Sequence, residues 1–142
     1  AQNCVEMLQV SAQKHQVSLR LQGSPCIVYA NREMVEEILY NLCDNAIKYN
    51  NPGGSVKVSI AQKHGEVLLS VQDTGIGISP EHQDKVFERF YRVDKSHSKQ
   101  SGGTGLGLSI VKHAVQYHHG KITMESELHK GTTISVLFDT RV

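Results

Sequence analysis

Asn41 and Asn45 stand four residues apart, and Lys48 follows three later, within the run Glu-Ile-Leu-Tyr-Asn-Leu-Cys-Asp-Asn-Ala-Ile-Lys-Tyr-Asn from Glu37 to Asn50. Residues three and four apart share one face of a helix. Two amides and an ammonium therefore line one side, while Val35, Ile38, Leu42 and Ala46 line another. An apolar stripe is ordinary in a core helix. A stripe of neutral oxygen acceptors ending in a lysine has the chemistry to hold a hard metal ion and phosphates.

Two glycine turns offer complementary chemistry. Asp73-Thr74-Gly75-Ile76-Gly77-Ile78 follows directly on an alternating stretch that ends at Gln72. Glycines there permit a sharp turn and close backbone approach to a ligand, and the aspartate can accept a hydrogen bond from an exocyclic amine such as adenine carries. By itself the segment equally suits a strand-to-loop turn with an Asx cap. Gly102-Gly103-Thr104-Gly105-Leu106-Gly107-Leu108 opens an apolar-periodic segment. Free N–H groups at such a helix start attract anions; a flexible hinge is the alternative, weakened by the interleaved Leu106, Leu108 and Ile110. Neither run is a P-loop, because no Lys-Ser/Thr follows at the required place, and the dinucleotide Gly-x-Gly-x-x-Gly pattern fails at Leu108 and at Pro80. Between the two runs lies Phe87-Glu88-Arg89-Phe90-Tyr91-Arg92. Val86, Phe87 and Phe90 have the spacing of a short helix pinned to the body. Arg92, Lys95 and Lys99 beyond it either reach phosphates or form a solvated face.

The elements that must position these residues are legible from periodicity. Val5, Leu8 and Ala12 predict a helix over 3 to 15. Val17 to Leu21 and Cys26 to Ala30 read as short strands around Gly23-Ser24-Pro25. Asn31 is the expected N-cap of a helix reaching Tyr49, with Glu33 in its first turn, and Asn50-Asn51-Pro52-Gly53-Gly54 stops it. Val56, Val58 and Ile60, then Val67, Leu69 and Val71, alternate as a hairpin about His64-Gly65. Residues 73 to 104 form a long polar connection of the kind usually kept for function. A helix through Leu106, Ile110, Val111, Ala114 and Val115 closes at Gly120, and 122 to 125 with 132 to 138 make a final hairpin around Lys130-Gly131. Strand runs with segregated helices predict an α+β sandwich.

Composition excludes several classes. The 142 residues carry 15 basic and 14 acidic side chains, which leaves no strong nucleic-acid footprint. No apolar run approaches the roughly 20 residues of a membrane span, and the start, Ala1 to Cys4, has no signal-peptide pattern. Three scattered cysteines fit inert thiols in a reducing compartment. Among eight histidines only His118-His119 is a close pair, which argues against a histidine metal site.

Each motif alone is weak, but their order is specific. Over residues 31 to 138 the chain resembles the catalytic and ATP-binding domain of bacterial sensor histidine kinases, in the ATPase superfamily with gyrase and chaperone relatives (the Bergerat fold). The Asn41–Asn45 helix matches the N box, Asp73 to Gly77 the first glycine box, Phe87 to Phe90 the F box, and Gly103 to Gly107 the second glycine box. The resemblance implies a two-layer sandwich: a mixed, mainly antiparallel sheet of about five strands, about three helices on one face, and a mobile ATP lid. It implies one catalytic domain over 1–142, with residues 1–15 leading in from dimerisation helices and 79–103 as the lid.

By the same resemblance Asn45 coordinates Mg2+ with Asn41 assisting, which suits a cation that prefers oxygen ligands. Lys48 contacts phosphate, Tyr49 lies against adenine or ribose, and Asp73 takes the adenine amine. Gly75 and Gly77 shape the base pocket, and Ile78 and Phe90 join the cofactor-binding residues. Gly103, Gly105, Gly107 and the N–H of Leu106 cradle the phosphates, Thr104 and Leu108 join the cofactor-binding residues, and Thr133 touches the base through water. Many relatives carry arginines where this chain has His97 and Lys99, which leaves Arg92 first and Lys95 second as clamps for the phosphates. Arg92 thus joins Asn41, Asn45 and Lys48 as a catalytic candidate.

Hydrolases of the superfamily place a glutamate where Asn41 stands, and an amide is no base near neutral pH. Glu37 is one turn, about 6 Å, away. The expected activity is therefore that of a protein histidine kinase domain: it binds ATP·Mg2+ and supplies the γ-phosphoryl group to a histidine. His15, His64, His82, His97, His113, His118, His119 and His129 all lack the phosphoacceptor box, and Asp44 and Asp94 are not receiver-type acceptors. The acceptor is then expected on a dimerisation and phosphotransfer domain outside this sequence, with a response regulator receiver domain as the further partner. The implied setting is a monomeric, cytoplasmic domain of a membrane-bound bacterial sensor, without direct membrane contact. An ATP-hydrolysing domain, a non-catalytic nucleotide-binding module and an anti-sigma-factor serine kinase are the alternatives; the last usually lacks the Phe87–Phe90 element.

Overall fold

The computed structural model describes residues 2–23, 31–63, 65–83, 85, 87 and 107–139. Among these, the elements run α1 (Gln2–Lys14), β1 (Ser18–Gly23), α2 (Arg32–Lys48), β2 (Ser55–Lys63), β3 (Glu66–Asp73), α3 (Pro80–Gln83), α4 (Gly107–Tyr117), β4 (Lys121–Glu127) and β5 (Gly131–Asp139). The sheet order is β1-β2-β3-β5-β4. β2-β3 and β4-β5 are hairpins and β3-β5 is antiparallel. β1 pairs with β2 in parallel, because helix α2 lies between them in the chain and a parallel pair needs a crossover of that kind. The sheet is therefore mixed and mainly antiparallel, as expected, and the fold is α+β.

One face of the sheet is the core. Val56, Val58, Leu69, Val71, Ile134, Val136 and Phe138 point to it, and α1, α2 and α4 cover it with Leu8 and Ala12, Ile38, Leu42 and Ile47, and Val111 and Val115. Burying each such aliphatic side chain is worth about 1.5–3 kcal/mol, so this face holds the layers together. Residues of opposite parity on β3 and β5 lie on the other face, where Leu68 is 40% exposed and the Ser70 and Ser135 hydroxyls meet at 3.1 Å.

Helix α2 begins as its sequence dictates. Asn31 is extended (φ −73°, ψ 116°), and its side chain accepts the Met34 N–H at 3.1 Å. A second tie comes from afar: the Asn31 N–H donates to His118 Nε2 at 2.8 Å, while His118 Nδ1 lies 2.8 Å from the Ala114 carbonyl. These partners place the imidazole hydrogen on Nδ1 and leave Nε2 as the acceptor. The start of α2 is thus fastened to the end of α4.

Several local expectations are revised. Helix α4 ends at Tyr117, and the left-handed residue after it is His119 (φ 55°), not Gly120, whose N–H returns to the Val115 carbonyl at 2.9 Å. Helix α1 closes in the same way, with Gln16 at φ 58° and the Val17 N–H on the Ala12 carbonyl, so β1 starts at Ser18 and runs on to Gly23. A C-terminal motif of this type needs a left-handed residue but not always a glycine. The short helix α3 leaves no mark in the apolar periodicity, although Ser79-Pro80-Glu81 carries the usual signals of a helix start. The expected strand from Cys26 to Ala30 lies outside the described residues, as do Val86 and Phe90; Phe87 is half-buried.

Candidate functional site

The site begins on α2. Asn41, Asn45 and Lys48 lie on consecutive turns, all partly buried. The Asn41 Nδ2 donates to the Glu37 carbonyl at 2.8 Å. Its NH2 end is thereby engaged, which leaves its Oδ1 as the available acceptor. Among the described residues the Asn45 side chain forms no hydrogen bond. Lys48 Nζ pairs with Asp44 Oδ2 at 3.0 Å. The Glu37 side chain is exposed and one turn back from Asn41.

The first glycine turn closes onto the end of this helix. The Ile76 N–H donates to the carbonyl of Tyr49, the C-cap of α2, at 3.1 Å. A Cβ on Gly75 would collide with that carbonyl oxygen, so the approach requires a glycine. Gly77 has φ +72°, and a Cβ there would collide with the Glu127 carbonyl oxygen. The turn is therefore gripped between the α2 C-terminus and the β4–β5 hairpin, whose His129 N–H reaches the Ile76 carbonyl at 2.7 Å.

Asp73 ends β3 at the centre of this grip. Its Oδ1 accepts the Gly75 N–H at 2.9 Å and the Thr132 N–H at 3.2 Å. Among the described residues Oδ2 accepts no hydrogen bond. Burial raises the Asp73 pKa above its usual 3.8, and the two backbone donors oppose that rise. The Asx-turn reading and the amine-acceptor reading are thus compatible, since one oxygen shapes the turn and the other remains for a ligand.

Asp73 and Thr132 are register partners on β3 and β5. Thr132 is buried on the core face, whereas Thr133 pairs with Gln72 and lies on the opposite face. The threonine that shares the face of Asp73 is therefore Thr132, the neighbour of the residue expected from the sequence. Thr132 Oγ1 lies 2.8 Å from Ser126 Oγ, which also accepts the Ile78 N–H at 2.7 Å. Gln83 of α3 donates from Nε2 to the carbonyls of Ile78 (2.8 Å) and Ser126 (3.2 Å). Sequence reasoning missed Thr132, Ser126 and Gln83.

Of the second glycine turn, Gly107 opens α4, and Leu108 packs half-buried against the core. Helix α4 packs along α2, so its N-terminus belongs to the same side of the sheet as the asparagines. Phe90, Arg92, Lys95, Gly103, Thr104, Gly105 and Leu106 lie outside the described residues.

An amide-bearing helix, a buried carboxylate behind a glycine turn and a helix start facing the same layer together define a nucleotide-binding α+β domain. Residues 30–142 match the model of the histidine kinase-, DNA gyrase B- and HSP90-like ATPase family, and the chain belongs to that family. The sensor histidine kinase RppB of Synechocystis sp. is 37% identical over 132 residues, covering 92% of this chain and 29% of the relative. The sensor protein SrrB of Staphylococcus aureus is 42% identical over 104 residues, covering 73% of this chain and 18% of the relative. The chain thus spans less than a third of these curated relatives. Among solved structures, the catalytic domain of the histidine kinase ThkA superposes with a TM-score of 0.83 at 25% identity, covering 98% of this chain and 89% of that one. The mycobacterial sensor histidine kinase MprB gives 0.81 at 28% identity, covering 99% and 94%. Full-length ShkA, in complex with AMPPNP, gives 0.84 at 26% identity, covering 99% of this chain and 30% of that one.

Proposed function

We propose that this chain is the ATP-binding catalytic domain of a bacterial sensor histidine kinase, which positions ATP and supplies its γ-phosphoryl group to a histidine on a dimerisation and phosphotransfer domain of the same protein. Membership of an ATPase family makes ATP the nucleotide. Asp73 receives the adenine amine on its remaining oxygen. Lys48 leaves Asp44 to meet phosphate, and the start of α4 turns the positive end of its dipole to the phosphate chain. Beyond the described residues, Arg92 and Lys95 serve as clamps for the phosphates, within a lid over 79–103.

Mg2+ fits the donor set on α2. Asn41 and Asn45 present neutral amide oxygens one turn apart, and the Asn41 amide is oriented by its bond to Glu37. Hard oxygen donors supplemented by phosphate and water suit this ion. When bound, it would neutralise charge on the phosphates.

The observation that carries kinase over hydrolase is Asn41 itself. Its NH2 is committed to the Glu37 carbonyl, and its oxygen takes no proton near neutral pH. Position 41 then offers no water-activating base, so the γ-phosphoryl group is held for an external nucleophile. A response regulator receives it next, and we place the domain on the cytoplasmic side, where ATP is available. Among the described residues no helix is long and apolar enough to cross a membrane.

The test mixes the domain and radiolabelled ATP·Mg2+ with a separately prepared dimerisation domain carrying the phosphoacceptor histidine. Acid-labile label on that histidine is expected, with negligible ATP turnover by the domain alone. Steady turnover by the domain alone, abolished by Asn41→Ala, would overturn the reading in favour of a hydrolase.

A further inference from the structure

Three contacts converge on one hydroxyl. Ser126 Oγ accepts the Ile78 N–H at 2.7 Å, lies 3.1 Å from the Gly131 carbonyl oxygen, and lies 2.8 Å from Thr132 Oγ1. A serine hydroxyl has one hydrogen to give and two lone pairs with which to accept. A carbonyl only accepts, so the serine hydrogen must go to Gly131 if that contact is to be a bond. The contact with Thr132 is then satisfied in one direction only, with the threonine hydrogen given to Ser126. Were the serine to donate to Thr132 instead, the Gly131 carbonyl would face an oxygen lone pair. All three contacts are satisfied by a single arrangement, in which Ser126 is saturated and Thr132 Oγ1 is left with lone pairs alone.

Thr132 is fixed to the carboxylate that reads the base. Its backbone N–H is bonded to Asp73 Oδ1 at 3.2 Å, and the two residues are cross-strand partners on one face. Gln83 holds the Ser126 backbone and the Ile78 carbonyl from α3, so Ser126 does not drift from its partners. Resting on the reading of Asp73 as the adenine-amine acceptor, we propose that Ser126 is a specificity-determining positioning residue: it locks the Thr132 hydroxyl as an acceptor beside Asp73. The site then offers acceptors only, suited to a purine with a 6-amino group or to a water donating between them, and it opposes a 6-carbonyl. A hydroxyl free to rotate would donate to that carbonyl and weaken the discrimination, leaving only the part due to Asp73. A site whose polar groups are left unpaired by the wrong ligand rejects it far more strongly than shape alone.

The experiment measures ATP and ITP binding to the whole chain by calorimetry, since these nucleotides differ at the 6-amino or 6-carbonyl position. Wild type should prefer ATP. Ser126→Ala should lower the ATP-to-ITP affinity ratio by about tenfold, largely by improving ITP. Ser126→Thr, which keeps the hydroxyl, should restore the ratio. Thr132→Val should narrow the ratio by itself, and Ser126→Ala should add nothing in that background. Thermal melts of the nucleotide-free variants separate a folding loss, which would weaken both nucleotides together and leave their ratio unchanged. An unchanged ratio in Ser126→Ala, or an equal change with Thr132 already removed, would overturn the inference while leaving the ATP site intact. A wild type that binds no ATP would sink both readings.

Discussion

The Lys48 ammonium lies 3.0 Å from the carboxylate of Asp44 one turn earlier on α2, with both side chains about three-quarters buried (24% and 21% exposed). The lysine proposed to meet phosphate is therefore already held by an intrahelical anion. That pairing keeps its stem aligned with the asparagine face, and phosphate replaces one anionic partner by another.

Lys48→Gln should weaken ATP binding by about tenfold, the scale of one charge-assisted hydrogen bond. Adenosine, which lacks phosphates, should bind within twofold of wild type. Calorimetric titration of both ligands checks this. An equal loss for adenosine would show that Lys48 acts through the fold.

Removing the divalent cation should matter only while its ligands are present. ATP affinity of wild type should fall about tenfold when EDTA replaces Mg2+, because repulsion among the phosphates and the α2 oxygens is then unscreened. Asn45→Ala should bind weakly in both conditions, with little difference between them. An undiminished Mg2+ dependence in Asn45→Ala would move the metal site elsewhere.

Asp73 links pH, stability and binding. Burial raises its folded pKa above 3.8, with the Gly75 and Thr132 N–H groups pulling the other way. For a carboxyl raised on folding, its stabilising contribution is full below the unfolded value and is lost as pH rises through the folded value. At pH 7 the ionised side chain is thus a net cost to the nucleotide-free fold. Asp73→Asn, which keeps an acceptor for both N–H groups, should melt at the same or a higher temperature at pH 7. That advantage should shrink as pH falls through the folded pKa toward 3.8. The same variant should bind ATP about tenfold more weakly. A variant that is destabilised at pH 7 and binds ATP normally would contradict both halves.

Asn31→Ala removes the cap on Met34 and should cost about 1 kcal/mol in urea unfolding. Nucleotide affinity should hold within twofold, because Asn31 lies at the opposite end of α2 from Lys48. A large loss of affinity at unchanged stability would mean that the start of α2 communicates with the site.

Local chemistry made much of this protein legible. Asn31, the apolar repeat through Ile38, Leu42 and Ala46, and the stop after Tyr49 specify α2 without help from the rest of the chain. The spacing of Asn41, Asn45 and Lys48 follows from helix geometry, and Asp73 with Gly75 and Gly77 is a turn with only a few solutions. The left-handed residues Gln16 and His119 were less legible, because packing can supply what a glycine would otherwise offer. The Ser79-Pro80 signal was present but lay in a segment without apolar periodicity.

Tertiary structure decided what proximity alone can decide. Thr132 and Thr133 are chemically identical neighbours, and only the β3–β5 register places one of them beside Asp73. Ser126 is 48 residues from Ile78, and Gln83 is 43 from Ser126, so no local pattern links them. The sequence by itself determined the amide-bearing helix with Asn41, Asn45 and Lys48 on it, and the glycine turns. The fold decided which threonine shares a face with Asp73 and which hydroxyl it meets, because alternation along a strand assigns a side chain to a face only once its partner strand is in place.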